Sequence, residues 1–246
     1  MKRILSCLPL TFLLSLLFFF VAHRTDAAEL AAANLAKASP QKKPLKAAPA
    51  QEEPEPTATP PSTPPKGSSP LADLKNSNTA LKKLFQRAAP SWSPESDAKR
   101  SEMRKLVNGF LDYEELAHRS LIKHWDSLSI ASRKEFVAVL RDLIERRYIQ
   151  QVHGQPNYDL QFDKETIEEH DATVFATLKT TNKGKKYVIA MEYKLLYKGK
   201  RWLVYDVITD EQSMLEIYRA EFNKIIAKES FDALLKRMKK RLEKPE

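Results

Sequence analysis

The chain has 246 residues, with 41 Lys and Arg against 32 Asp and Glu, a net charge of +9, and one cysteine, Cys7. A lone cysteine excludes an internal disulfide framework and a thiolate metal cluster, and five scattered glycines leave no glycine-rich cradle for phosphate. The positive balance is too mild to select a class of partner by itself.

Met1-Lys2-Arg3 is basic, and Ile4 to Ala22 is an apolar run broken only by Ser6, Cys7, Pro9, Thr11 and Ser15. With the small residues of Thr25-Asp26-Ala27 behind it, the segment 1–27 reads as a secretory signal peptide. The run is close to the length of a membrane-spanning helix, so retention as an inner-membrane anchor is the alternative. Cys7 precedes the apolar run where a lipoprotein cysteine would follow it, which argues against lipidation. Residues 28–70 contain ten of the fifteen prolines and show no apolar periodicity, the composition of a disordered or polyproline-like linker. Fully extended, it would reach on the order of 130 Å at ~3.1 Å per residue.

Residues 71–246 are long enough for one domain with a core of its own, carrying 33 basic and 27 acidic residues. Helices come first. One is predicted over about 71–89, with Leu74, Leu81, Leu84 and Phe85 inward, and another over about 95–108, with Met103, Leu106 and Val107 inward. Asp112-Tyr113-Glu114-Glu115 is an acidic capping box that opens a third helix. Ser132-Arg133-Lys134-Glu135 lies in the first turns of a long fourth helix that runs to about Val152, with Phe136, Leu140, Leu143 and Arg147 in one stripe and Val139 and Tyr148 beside it. His153-Gly154 is its stop signal.

Strands follow. Tyr158, Leu160 and Phe162 alternate, then Val174, Ala176 and Leu178, then Tyr187, Ile189, Met191, Tyr193, Leu195 and Tyr197. Hairpin turns are predicted at Asn182-Lys183-Gly184 and Tyr197-Lys198-Gly199-Lys200. A fourth strand covers Arg201 to Ile208, and Ser213-Met214-Leu215-Glu216 then caps a helix with Met214, Tyr218, Phe222 and Ile225 on one face. In the last helix, Phe231, Leu234, Leu235, Met238 and Leu242 supply a buried face and Lys236 to Arg241 a basic one, best read as solvated. The expected fold is α+β: a four-stranded antiparallel sheet with helices packed on one face, enclosing an apolar cavity.

Trp202-Leu203-Val204-Tyr205-Asp206-Val207, Ser213 and Tyr218-Arg219-Ala220-Glu221-Phe222 resemble the W-x-V-Y-D-V…S…Y-R-x-x-F signature of the MlaC/toluene-tolerance family, periplasmic lipid carriers of Gram-negative bacteria. Phe110 to Ala117 and His124-Trp125 with the serine-rich segment after it fit further family segments in the same order. One departure is Glu211-Gln212, where many members carry Gly-Val, which puts the local turn geometry in question. The resemblance implies a monomeric carrier of phospholipid by its acyl tails. Its partners would be an inner-membrane substrate-binding protein of an ABC transporter and an outer-membrane lipoprotein complex, with no nucleic acid, cofactor or metal. Val174, Ala176, Ile189, Met191 and Val204 are the expected lining from the sheet, and Phe110, Leu140, Leu143, Tyr148, Met214, Tyr218 and Phe222 from the helices. Periodicity alone does not separate a hollow core from a filled one, so plain packing is the competing reading for each.

Catalysis has little support. There is no His-Glu-x-x-His and no Gly-x-Ser-x-Gly, and His118 and His124 are not at the i, i+4 spacing of a helical metal pair. Asp206, among apolar neighbours, reads either as an acid perturbed by a pocket or, better, as a structural carboxylate facing a base or a helix N-terminus. Glu168, Glu169, His170 and Asp171 read as a solvated acidic turn. A cell-envelope interaction domain without lipid cargo is the alternative function.

Overall fold

A computed structural model of the chain describes residues 61–88, 97–152, 158–182 and 184–243. The signal-like segment, the linker up to residue 60 and the His153-Gly154 stop lie outside the described residues. Among the described residues the elements are α1 (Pro70–Ala88), α2 (Asp97–Asn108), α3 (Tyr113–Ser120), α4 (Ile130–Val152), β1 (Tyr158–Glu168), β2 (Asp171–Asn182), β3 (Lys185–Lys198), β4 (Arg201–Thr209), β5 (Gln212–Ser213), α5 (Met214–Lys228) and α6 (Phe231–Glu243). The strands form one antiparallel sheet in the order β1-β2-β3-β4-β5, so each strand pairs with its successor in the chain. This is the α+β fold expected, with five strands in place of four. The added strand pairs only Ile208 with Ser213 and Thr209 with Gln212, a ladder too short to leave an alternation in the sequence.

The capping boxes act where the residue pattern placed them. The Asp112 carboxylate accepts from the Glu115 amide at 3.0 Å, and the Ser213 hydroxyl from the Glu216 amide at 3.0 Å. The long helix α4 starts two residues earlier than its Ser132 box, and its first free amides are met by Ser129, whose hydroxyl accepts from Ser132 N at 3.1 Å. The segment before α1 is fastened to the sheet. Ser62 N donates to Tyr197 O at 3.0 Å, the Trp202 indole donates to Ser68 Oγ at 2.8 Å, and Leu71 N donates to the Glu165 carboxylate at 2.7 Å. Glu165 thus places a negative charge at the N-terminus of α1 from a neighbouring strand.

Both rims of the sheet are modified. On the β4 side, the segment Phe110–Asp112 runs alongside, with Asp112 N to Val204 O at 2.8 Å and Val204 N to Phe110 O at 2.7 Å. On the other side β1 is the outer strand. A bulge between Phe162 and Lys164 breaks its register, and Asp159, Asp163, Lys164 and Glu168 project exposed from it.

The two tight turns of the later strands need left-handed backbone. Gly199 and Lys200 have φ of 59° and 68°, the conformation of a two-residue hairpin. Asp210 and Glu211 have φ of 46° and 66°, so the turn where the family favours glycine keeps its shape without one. Left-handed backbone costs a side-chain-bearing residue about 1–2 kcal/mol, part of which glycine gives back in unfolded-state entropy. Glu211→Gly is therefore expected to raise stability by about 0.5 kcal/mol, read as a higher urea midpoint with an unchanged slope.

Two bodies of core result. The helical one joins α3, α4, α5 and α6 around Phe136, whose ring meets Phe222 edge-on at 5.5 Å and Phe231 at 5.8 Å. The other lies on the apolar face of the sheet. There Leu74 of α1 packs with Ala172, Val174, Leu195, Tyr197, Trp202 and Val204, and Leu81 and Leu84 close against Met103 and Val107 of α2. Charges buried between elements are paired. Lys198 Nζ lies 3.2 Å from both Asp112 and Glu114, and Glu145 on α4 lies 3.2 Å from Arg104 on α2.

Candidate functional site

Register sets which residues share the apolar face of the sheet. Leu178 pairs with Ile189, Ala176 with Met191, Val174 with Tyr193 and Ala172 with Leu195. A bulge at Tyr205 lets Val204 oppose Leu195 and Val207 oppose Tyr193, so both keep to this face. Phe162 joins it opposite Ala176.

The expected lining residues fall into three packed groups. Val174 and Val204 belong to the cluster under α1, with Phe110 at its margin. Ala176, Ile189 and Met191 form a second group with Leu178 towards the far end of the sheet. Leu140, Leu143, Met214, Tyr218 and Phe222 lie in the helical core. The side chain of Tyr148 lies outside the described residues. Val174 is fully buried and Met191 nearly so, at 0% and 2% exposure. They form the floor of the face.

Between the groups sit Phe110, from the expected set, and four residues outside it. Leu111 touches the helical core, the α1 cluster and the α1–α2 cluster, and Phe110 touches the last two. Phe162, Tyr193 and Val207 touch both sheet groups. All five are only half-buried, although they lie where the groups meet. Tyr193 is the most telling. Burial pushes its phenol far above the ordinary range, with nearby Tyr158 adding to the shift, yet the side chain keeps accessible surface. Among the described residues its hydroxyl meets only the Met191 sulfur, at 3.9 Å. The side chain is thus only partly covered where two packed groups of the sheet meet. Sequence alternation marks Tyr193 as sharing a face with Met191, but not that its surface remains unfilled.

The opposite face offers something different. An open cleft of about 450 Å³ is lined by Ala190, Glu192, Ile208, Asp210 and Glu211, with Lys194 held 3.2 Å from Glu192. Three carboxylates around two small apolar patches do not suit an alkyl chain.

The chemically active side chains have structural employment. Asp206 takes the helix N-terminus: its Oδ1 accepts from Leu215 N at 2.9 Å and its Oδ2 from the Ser213 hydroxyl at 2.6 Å, joining β4 to α5. His124 Nε2 lies 2.9 Å from Asn223 Oδ1, while the His118 ring packs against Trp125 at 5.4 Å. Exposed Glu169 and half-buried His170 form the β1–β2 turn, with the His170 carbonyl accepting from Tyr197 N at 2.8 Å. Among the described residues no group of three or more His, Cys, Asp or Glu could hold a metal ion, and no helix is long and apolar enough to cross a membrane. On α6, Arg237 pairs with Glu229 and Lys239 with Glu135, leaving the basic face solvated as the sequence suggested.

Residues 75–240 match the family model described as MlaC protein. The chain belongs to the MlaC family. It is 23% identical over 175 residues to the intermembrane phospholipid transport system binding protein MlaC of Haemophilus influenzae, an alignment covering 66% of this chain and 82% of that protein. A solved structure of a phospholipid-binding protein from Ralstonia solanacearum, in complex with a phospholipid, has the same fold. The two superpose with a TM-score of 0.55 at 17% identity, over 71% of this chain and 97% of the other. The family assignment thus covers the helices and sheet that build the apolar face.

Proposed function

We propose that this chain is a periplasmic phospholipid carrier that shelters acyl tails in the space bounded by the apolar face of the sheet, α1, α2 and the helical core. The observation that carries the reading is the half-buried set at the meeting of the packed groups: Phe110, Leu111, Phe162, Tyr193 and Val207. These apolar and aromatic residues keep accessible surface in the middle of a fold whose floor is filled. The phospholipid-bound relative and the transport system named for the Haemophilus protein support the same cargo.

Withdrawing a methylene from water is worth ~0.8 kcal/mol, so two long acyl chains gain roughly 20 kcal/mol from such a space without any catalytic group. The head group can stay in solvent, which makes low head-group selectivity an expected property. In this reading the carrier moves lipid between an outer-membrane lipoprotein complex and an inner-membrane substrate-binding protein attached to an ABC transporter. Export through the amino-terminal segment places it between the two membranes.

Native mass spectrometry of the protein purified after export, followed by solvent extraction, tests the cargo. A monomer carrying an adduct of phospholipid mass is expected. A homogeneous empty protein that also takes nothing from vesicles would instead point to an envelope interaction domain. The position of the space is tested by Val207→Asp. Val174 and Met191 are too deeply packed to lose without damage to the floor, whereas half-buried Val207 can carry a carboxylate and still fold. That carboxylate would need water where the tails lie. Lipid occupancy should fall at least tenfold with the melting temperature nearly unchanged; full occupancy in a folded variant would move the cargo elsewhere.

A further inference from the structure

Buried tyrosine hydroxyls normally reach an oxygen or nitrogen acceptor, because leaving one without a partner costs the desolvation of a polar group. Tyr158, at the start of β1, obeys this rule and donates to Asn78 Oδ1 at 3.4 Å. Tyr193 does not. It stands at the centre of the apolar face, flanked across the strands by Val174 and Val207, with the Phe162 ring at 6.2 Å. Among the described residues its hydroxyl reaches only the Met191 thioether at 3.9 Å, a weak acceptor. A donor has been set among apolar side chains with nothing of its own strength to meet.

We propose that the Tyr193 hydroxyl donates a hydrogen bond to an ester carbonyl oxygen of the bound phospholipid and so sets the depth at which its tails are held. This rests on the lipid-carrier reading above. The chemistry selects the ester. A phosphate would have to bring its charge into the middle of an apolar face, at high desolvation cost, whereas an ester carbonyl is a neutral acceptor carried at the root of each acyl tail. The alkyl chains beyond it would then run along the half-buried side chains of Phe162 and Val207, on the same face as the hydroxyl. Tyr193 is a positioning residue in this scheme, giving a preference for ester-linked over ether-linked lipid that a purely apolar cavity would lack.

The test is a competition in native mass spectrometry. The full chain, stripped of lipid, is offered equal amounts of diacyl and dialkyl-ether phosphatidylglycerol of matched chain length. The wild-type protein should prefer the ester by about tenfold, the value of one good hydrogen bond in a site without water. Tyr193→Phe should bind the two lipids equally and melt at or slightly above the wild-type temperature, since it removes only an oxygen with a poor partner. Equal binding of both lipids by the wild type overturns the inference, and so does a preference that survives in Tyr193→Phe. The wild-type ratio decides alone should the variant fail to accumulate. Failure of the wild type to bind either lipid would reject the carrier reading itself, and the role of Tyr193 with it.

Discussion

Lys198→Ala should destabilise the domain by about 3 kcal/mol, lowering the melting temperature by roughly 9 °C for a domain of this size. Lys198 is 6% exposed, and its ammonium lies 3.2 Å from Asp112, itself buried, and 3.2 Å from the more open Glu114. Removing the cation strands the Asp112 carboxylate where water scarcely reaches. The same carboxylate caps α3 through the Glu115 amide, so the loss spreads from the β3–β4 hairpin into the helical core. Lys198→Met combined with Asp112→Asn should recover most of the stability, because the amide oxygen can still cap α3 and no buried charge remains. A double variant as weak as Lys198→Ala would show that the ion pair is not the cause.

The pH dependence has a definite sign. Burial alone would lower the Lys198 pKa, but Asp112 and Glu114 outweigh it and hold the ammonium above its ordinary value. A group whose folded pKa is raised gives its full contribution below its unfolded pKa and loses it as pH rises through the folded value. The contribution is therefore constant through neutral pH and disappears only above the ordinary lysine range. Urea melts of wild type and Lys198→Ala should differ by a fixed amount from pH 6 to 9 and converge in strong alkali.

Asp206→Ala is the second large effect, again expected at about 3 kcal/mol. Asp206 is 4% exposed and its two oxygens hold Leu215 N and the Ser213 hydroxyl, so the substitution removes two hydrogen bonds to an ionised group and leaves a buried amide unmet. Asp206→Asn keeps an acceptor for Leu215 N and should cost about 1 kcal/mol, less than half as much. Hydrogen exchange at the Leu215 amide reads this directly: protection should collapse in Asp206→Ala and survive in Asp206→Asn. Since this joint sets where Met214 and Tyr218 enter the core, Asp206→Ala should lose lipid along with stability. Normal protection of Leu215 in a folded Asp206→Ala protein would contradict the account.

Much of this was legible from residues alone, wherever the signal is local. The boxes at Asp112 and Ser213 each need only a short acceptor and a following amide, and both form. Strand alternation placed Val174, Ala176 and Leu178 on one side with Ile189, Met191 and Tyr193, since a period of two leaves one choice of side. In β4 the bulge at Tyr205 breaks it and brings Val207 to the side of Val204, where simple alternation separates them. Asp206 read correctly as a carboxylate for a helix N-terminus. The features that residues alone do not carry depend on neighbours distant in sequence. β5 exists only because β4 offers an edge to two residues. The true first cap of α4, Ser129, lacks the acidic residue three positions on that makes a box visible. Tyr193 was in plain sight as one aromatic in an alternating strand, but its missing acceptor and surviving surface are properties of the assembled face. Apolar periodicity also could not say that the expected lining divides into separate groups, with Leu111 and Val207 where they meet.

The outer strand β1 has a consequence for how such a protein behaves when abundant. An eleven-residue strand at a sheet margin is a template on which a second molecule can nucleate a fibre. Here the interruption between Phe162 and Lys164 breaks the run of free amides, and Asp159, Asp163, Lys164 and Glu168 would set charge against charge in any like-to-like stacking. At the other margin the Phe110–Asp112 segment and β5 occupy the ladder positions of β4. An outline of this kind lets the protein reach high concentration without its copies polymerising.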